Sequence, residues 1–481
     1  MTAVSVKRRA CVSLFLCIMA GFLTGCARFH PQPILPDKTA LALESRTLDS
    51  RALERFIEGN LHHKIVRWPL ESWDLETLAL AAFYYHPDLD VARAKWEVAK
   101  AGVVTAGERP NPSIGFMPLH HTRTNGGLSP WTLDFNLDIP IETAGKRGYR
   151  IDRAKLLSEA ARLRIVEAAW RVRSLLRRDL IKLYKAEQTE VLLRKQQRVQ
   201  EEIVNILERR LSLGDVSQPD VTQAHLSLNQ IRIRLAKAQG QKAEARAMLA
   251  SAIGVPATAL DHIDISFDFM EQPPRVMDVS LKTIRRLALL NRADILGALL
   301  KYAASESALQ LEIAKQYPDI YIGPGYSWDQ GDNKWSLGFL VSLPVFNHNQ
   351  GPVAEAEARR KEAGAKFTAL QSRIIGEIDR AFAGYSSALK ELDTACVLLA
   401  AQKKQFESAL AMFNAGEIDT LSLVSAKAEL YSAALLQRDA LAGLQQYMGL
   451  LEDAMQRPLQ SSQLLPAFPE KNPRIKEMDK E

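Results

Sequence analysis

From Tyr149 to Leu213 the chain runs for 65 residues without a glycine or a proline. Those two residues are the strongest interrupters of a helix, and an unbroken helix of that length approaches roughly 100 Å. Apolar residues recur at helical spacing along it, among them Ile165, Ala169, Val172, Leu176, Leu180 and Leu183. They give the helix a face to bury. Helices of globular domains average about 11–12 residues, so an element of this length is unusual for a globular domain, and its plainest alternative is a generic coiled coil. Gly214-Asp215 stops the run in the manner of a C-cap glycine. Ser217 or Asp220 caps a returning helix with Pro219 in its first turn, and that helix reaches about Gly254.

The plan is then repeated. Asp88/Asp294, Lys95/Lys301, Pro112/Pro318 and Ile114/Ile320 are each 206 residues apart. Trp131/Trp335, Phe135/Phe339 and Pro140/Pro344 are 204 apart, and Gly214/Gly416, Val216/Ile418 and Leu228/Leu430 are 202 apart. An ordered series with a slowly drifting offset marks a tandem duplication of one supersecondary unit. Each unit opens with a helix, over about Leu75–Gly107 with an interruption at His86-Pro87, and over about Leu281–Gln316 in the second copy. Two short β segments follow, then the long helix, a glycine turn and the return helix. The second long helix spans about Pro352 to Ala415, and its partner returns to about Gln456.

The β segments alternate. Trp131 to Ile139 has five apolar odd positions and four polar even ones, and Trp335 to Leu343 keeps the five apolar positions. Nine residues is the length of a tilted strand crossing a bilayer, and Trp131, Trp328 and Trp335 fall at strand ends where interfacial aromatics belong. Alternation alone does not separate such strands from a half-buried hairpin of a soluble domain. Geometry adds a constraint. Backbone polar groups must be paired in lipid, and the smallest barrels have about eight strands, so four strands per chain span only if several chains pool them.

Lys7, Arg8 and Arg9 precede an apolar run from Ala10 to Phe22, too short to span a bilayer and of the right length for a secretory signal. It ends in Leu23-Thr24-Gly25-Cys26, a lipobox in which Cys26 is the acylated first residue of the mature chain. The expected signal is therefore residues 1–25. Cys11 and Cys17 leave with it and Cys26 carries lipid, so Cys396 is the one remaining thiol and no intramolecular disulfide forms. Cys396 lies in an apolar helical stretch and reads as a small core residue. Without the leader the chain has 59 basic and 56 acidic residues, which makes no case for nucleic-acid binding.

No catalytic or phosphate-binding motif is present, and an enzyme reading has no residues to stand on. The pairs His62-His63 and His120-His121 lack further ligands at metal-binding spacing and read as solvated loop residues. No cofactor is expected beyond the covalent lipid on Cys26.

Taken together, the lipobox, the tandem repeat, the paired strand segments and the two Gly-acid turns make the chain resemble the TolC-like outer membrane efflux proteins from about Asp74 to Gln456. The resemblance implies a mainly α protein with a small membrane β part. Its four strands per chain trimerise into a 12-stranded β-barrel on a 12-helix α-barrel. The domains then are residues 26–74, a lipidated N-terminal and equatorial segment; 75–254, the first repeat; 255–279, an equatorial connection; 280–456, the second repeat; and 457–481, a tail. The implied function is the passive exit duct of a tripartite pump in the Gram-negative outer membrane. Its partners are two further copies, a periplasmic membrane-fusion adaptor, an inner-membrane transporter of the RND type and outer membrane lipid.

By the same resemblance, Leu213, Gly214, Asp215, Ala415, Gly416 and Glu417 form the tips that meet the adaptor. Pore-gate positions fall at Ser422 and Ser425, where some members carry aspartates, and at Asp220 and Gln223 in the first repeat. Asp220 is the stronger gate candidate of the four, and equally a helix-start acid stabilised by the macrodipole. The segment Pro140-Ile141-Glu142-Thr143-Ala144-Gly145-Lys146-Arg147 resembles the strand-to-helix joint of the cobalt-zinc-cadmium and copper-silver channels. That favours heavy-metal cations as cargo over drugs or organic solvents, although Gly145-Lys146-Arg147 also serves simply to turn the chain. A reading of another class also stands here, a structural coiled-coil periplasmic lipoprotein held by lipid alone.

Overall fold

The structure is a computed structural model and describes residues 29–62, 64–124, 126–271 and 280–459. The signal, Cys26, His63 and the tail from 460 onward lie outside the described residues. The chain divides into two compact units, Met1–Arg46 and Thr47–Glu481. In the first, the described element is α1 (Pro36–Glu44), which buries none of its residues.

The second unit carries the duplicated plan. It opens with α2 (Arg51–Leu61) and strand β1 (Ser72–Trp73), and the first repeat then consists of α3 (Leu75–Tyr85), α4 (Pro87–Gly107), β2 (Ser113–His120), β3 (Trp131–Ile141), α5 (Lys146–Leu213) and α6 (Gln218–Ile253). A short 3₁₀ turn (Ala257–Leu260), β4 (Asp264–Ile265) and α7 (Asp268–Glu271) connect it to the second. There follow α8 (Leu281–Asn291), α9 (Ala293–Ala314), β5 (Ile320–Asp329), β6 (Asp332–Val341), α10 (Gln350–Asn414) and α11 (Thr420–Met455). The long helices run 68 and 65 residues. Pro352 sits in the first turn of α10, where its missing N–H has no intrahelical partner to lose.

Two features depart from the sequence reading. The opening helix of the second repeat is broken at Arg292, as the first is at His86, although no proline follows it. At His86 the break is local chemistry, since a residue before proline is pushed to extended backbone, and the ring Nδ1 accepts the Asp88 N–H at 3.2 Å. At Arg292 the extended residue is held by one local pair and one tertiary bond. Its buried guanidinium pairs with Asp294 at 2.7 Å and donates to the Ala454 carbonyl at 2.6 Å. The second departure is a two-stranded parallel sheet, β1 on β4, pairing Ser72 with Asp264 and Trp73 with Ile265. Trp73 is fully buried there.

The largest core gathers α3 with the adjoining ends and middles of α2, α4, α5 and α6. Nine of the eleven residues of α3 are buried, which its apolar circumference demands. A second core joins α8, α10 and α11 through Ile284, Ile378, Leu441 and Leu451. Cys396 is exposed, so its reading as a core residue is corrected. The buried stripe of that stretch passes through Leu392 and Ala395 instead.

Candidate functional site

The four longer strands form one antiparallel sheet in the order β2-β3-β5-β6. Register assigns every side chain to a face. Phe116 stands opposite Phe135, Phe135 opposite Tyr326 and Tyr326 opposite Trp335, so one aromatic row crosses all four strands. Ring centroids along it are 4.6, 6.4 and 4.9 Å apart. Ile114, Leu137 and Leu337 form the next rung on that face, followed by Ile139, Ile322 and Phe339. The opposite face carries Met117, Asp134, Ser327 and Lys334 on one rung and Gly115, Asn136, Gly325 and Ser336 on the next, with Tyr321 and Leu340 toward its other end. The glycines make room for the polar side chains opposite them. A Cβ on Gly325 would stand 2.5 Å from the Ser336 hydroxyl and one on Gly115 2.1 Å from the Asn136 amide.

The apolar face is bare in the single chain, with Trp335 81% and Phe339 67% exposed. Burying it in water-free surroundings is strongly favoured, at about 25 cal/mol per Å². Both sheet edges, β2 and β6, are unpaired among the described residues. Trp131 and Trp328 lie at strand ends, as the sequence suggests, whereas Trp335 lies three residues inside β6. Asp332-Asn333-Lys334 extends that strand through pairing to β5, which the apolar pattern does not register.

Below the sheet, the Pro140–Arg147 segment acts as a joint between repeats. Ala144 and Gly145 both take positive φ, 53° and 71°. The turn aims Lys146 at Asp319 of the second repeat, 2.6 Å away, and the Thr143 N–H donates to the same carboxylate at 3.0 Å. Arg147 Nε donates to the Gly107 carbonyl at 2.6 Å. The equivalent turn in the second repeat uses Asn349 at φ 59°, whose side-chain amide donates to the Glu312 carbonyl at 2.6 Å. Asparagine tolerates the left-handed region better than most residues.

Midway along α5, Arg173 and Arg177 meet Glu452 of α11, all three buried. Arg177 also donates to Asp453 at 2.9 Å and to the Gly449 carbonyl at 2.6 Å, and Trp170 Nε1 donates to Asp453 at 3.2 Å. A Cβ on Gly449 would stand 2.8 Å from the Arg177 guanidinium, so glycine is what admits the arginine. The sequence reading did not single out this cluster. The signal available was their position beside the apolar stripe of Val172, Leu176 and Leu180.

At the far ends the turns are Schellman closures. The Asp215 N–H bonds Arg210 O and the Gly214 N–H bonds Leu211 O; Glu417 and Gly416 repeat the pattern on Met412 and Phe413. Gly214 and Gly416 take φ 79° and 77°. Leu213, Asp215, Ala415 and Glu417 are exposed at these tips. Ser217 and Asp220 act together at the start of α6. The Asp220 carboxylate accepts the Ser217 N–H at 3.0 Å and its hydroxyl at 2.6 Å, which holds its pKa below the usual range. Asp220 is thus engaged as a helix-start acid. Gln223, Ser422 and Ser425 are exposed.

The acid that joins the two hairpins at the tip is Asp419, which the spacing argument passed over. It caps α11 by accepting the Ser422 N–H at 2.8 Å and pairs with Arg210 of α5 at 2.5 Å. The Ser422 hydrogen bond and the Arg210 guanidinium lower its pKa to about 2. The signal for it was an Asp directly before Thr420-Leu421-Ser422, an N-cap pattern.

Of the histidines, His120 packs edge-on against Trp131 at 4.7 Å and His121 bonds the Thr132 hydroxyl at 2.8 Å. Among the described residues no group of three His, Cys, Asp or Glu side chains is placed to hold a metal, and no helix is long and apolar enough to cross a membrane.

An amphipathic four-stranded sheet with open edges, set on duplicated helical hairpins, is the architecture of the outer membrane efflux proteins. The sequence matches the outer membrane efflux protein family over residues 81–255 and 284–451, one segment in each repeat, and the chain belongs to that family. It is therefore an efflux protein of the outer membrane. It is 22% identical over 354 residues to the cobalt-zinc-cadmium resistance protein CzcC of Cupriavidus metallidurans, covering 72% of this chain and 81% of that one. It is 25% identical over 391 residues to the pyoverdine export outer membrane protein OpmQ of Pseudomonas aeruginosa, covering 75% and 80%. The solved structure of the outer membrane protein VceC of Vibrio cholerae has the same fold, with a TM-score of 0.64 at 18% identity over 80% of this chain and 97% of that one.

Proposed function

We propose that three copies of this chain form the passive exit duct of a tripartite pump, fed by a periplasmic adaptor and an inner-membrane RND transporter. The observation that carries this reading is the sheet. It has one apolar aromatic face, a mixed face whose middle rungs are polar, two open edges and too few strands to close alone. Three sheets joined edge to edge give twelve strands, with the aromatic rows toward lipid and the Asp134 and Asn136 rungs toward water. The exposed tips at Leu213-Gly214-Asp215 and Ala415-Gly416-Glu417 are the surfaces for the adaptor, and the Arg210–Asp419 latch lies beside them. Cys26 carries the lipid that tethers the assembly. A spacer lipoprotein leaves the bare apolar sheet face without purpose.

Heavy-metal export is the favoured cargo class. The Pro140–Arg147 joint and the likeness to a cobalt-zinc-cadmium resistance protein support it. The likeness to a pyoverdine export protein favours an organic cargo as the second reading. Native mass spectrometry of the detergent-extracted full chain tests the assembly. The expected mass is three mature chains, each beginning at acylated Cys26. A monomer under conditions that keep established trimers intact leaves four strands unable to close and defeats the duct.

A further inference from the structure

Helices α4, α5, α9 and α10 stand side by side in that order, each packed on the next. Residues of all four line one open cavity of about 870 Å³. Lys95 of α4 and Lys366 of α10, the two edge helices, both face it. The edge helices of such a wall reach a common space only on its concave side. In a tube of three walls the concave side is the lumen.

Seven basic and four acidic side chains line this cavity. Their pairing is uneven. Arg171, Arg359, Lys366 and Arg373 each meet an acid four residues away on their own helix, which leaves little net field. Asp294 is held by Arg292. Lys95, Arg164 and Lys301 have no carboxylate within 4.0 Å among the described residues, and of the lining acids only Asp88 is likewise unpaired. Burial, then Arg164 and more weakly Lys366, lower the Lys301 pKa below the ordinary lysine range, against an opposing pull from Glu167, which is itself shared with Arg171. A partly desolvated cation among like charges is relieved by an anion. Lys95 and Lys301 are equivalent positions of the two repeats, so the duplication sets a cation in both halves of the wall. A smaller cavity of about 240 Å³ shares Lys301 and Arg359 and adds Arg153, but Glu312 and Glu355 also line it, so the excess of cations is concentrated in the larger cavity.

We propose that this band binds anionic cargo of the polycarboxylate class, free or wrapped around a metal ion, and disfavours bare cations. The proposal rests on the duct reading and deepens it, because a metal passing this wall travels inside an anionic complex. The test is calorimetric titration of the purified full chain in detergent with trisodium citrate, alone and with equimolar zinc. The wild type is compared with the triple variant Lys95→Gln, Arg164→Gln, Lys301→Gln and with Lys301→Arg. The expected result is saturable binding of the anion, weakened at least about tenfold in the triple variant and by added salt, and retained in Lys301→Arg. Binding in either arm with this dependence supports the band, and the stronger arm names the cargo form. Equal heats from wild type and triple variant, or no binding in either arm, overturn it. Native mass on the same samples separates the two failures. A trimer that binds nothing defeats the band and leaves the duct, whereas a monomer defeats the duct whatever it binds.

Discussion

Halfway along α5, Arg177 reaches Glu452 of α11 with both side chains nearly sealed, 5% and 6% exposed. Some 33 residues further along α5, Arg210 reaches Asp419 of the same partner helix with 33% and 43% exposed. The ions are alike and the surroundings are opposite. A buried pair cannot separate without leaving an uncompensated charge, whereas an exposed pair exchanges with water and is screened by salt. The two hairpins are therefore pinned at the Glu452 level and only latched at the tip.

Glu452→Ala is the largest way to break this contrast. It leaves Arg173 and Arg177 buried without their main counter-charge, and about 3–5 kcal/mol of stability is lost. A thermal unfolding midpoint unchanged from wild type would show that the cluster is not a pin. Gly449→Ala attacks the same point sterically, because the new Cβ falls 2.8 Å from the Arg177 guanidinium. Overpacking of this kind costs about 1–3 kcal/mol. Adding Glu452→Ala should then cost less than the sum of the two changes, since both disrupt one cluster.

Arg210→Ala should change stability by less than about 1 kcal/mol and yet let the tips separate. Spin labels at Leu213→Cys and Ala415→Cys, in a Cys396→Ser background, report the distance. A distribution identical to that of the unmutated tip removes the latch from the mechanism. The smallest effect is pH. The Asp419 pKa is depressed from 3.8 to about 2, so its contribution is fully present above 3.8 and is lost as pH falls toward about 2. The same label distance should hold from neutral pH to about 4 and widen below, and molar salt at neutral pH should widen it without any titration. Widening near pH 6 would point to a different group.

What the sequence made legible is what short-range rules govern. The long helices followed from the absence of breakers, the tips from glycine before an acid, and the sheet faces from strict alternation. The break at Arg292 was hidden because its cause is tertiary, a guanidinium held by Ala454 across the structure. The two-residue strands at Trp73 and Ile265 are too short to carry a pattern. Cys396 was misjudged because the apolar character of a helical stretch does not say which side of it faces inward. Asp419 was passed over because gate positions were sought six and nine residues beyond the glycine, and it lies three beyond, where capping geometry rather than family pattern sets its role.

The open edges of the sheet bear on biogenesis. A newly exported protomer can complete its helical hairpins from its own residues, but β2 and β6 must wait for neighbours. Exposed strand edges are templates for unwanted pairing, so the interval before the third copy arrives is the hazardous one. Joining is collisional, and the yield of finished barrels should rise with copy number more steeply than the supply of chains. If Cys26 carries the proposed lipid, tethering each copy to one surface confines that search to two dimensions and shortens the wait.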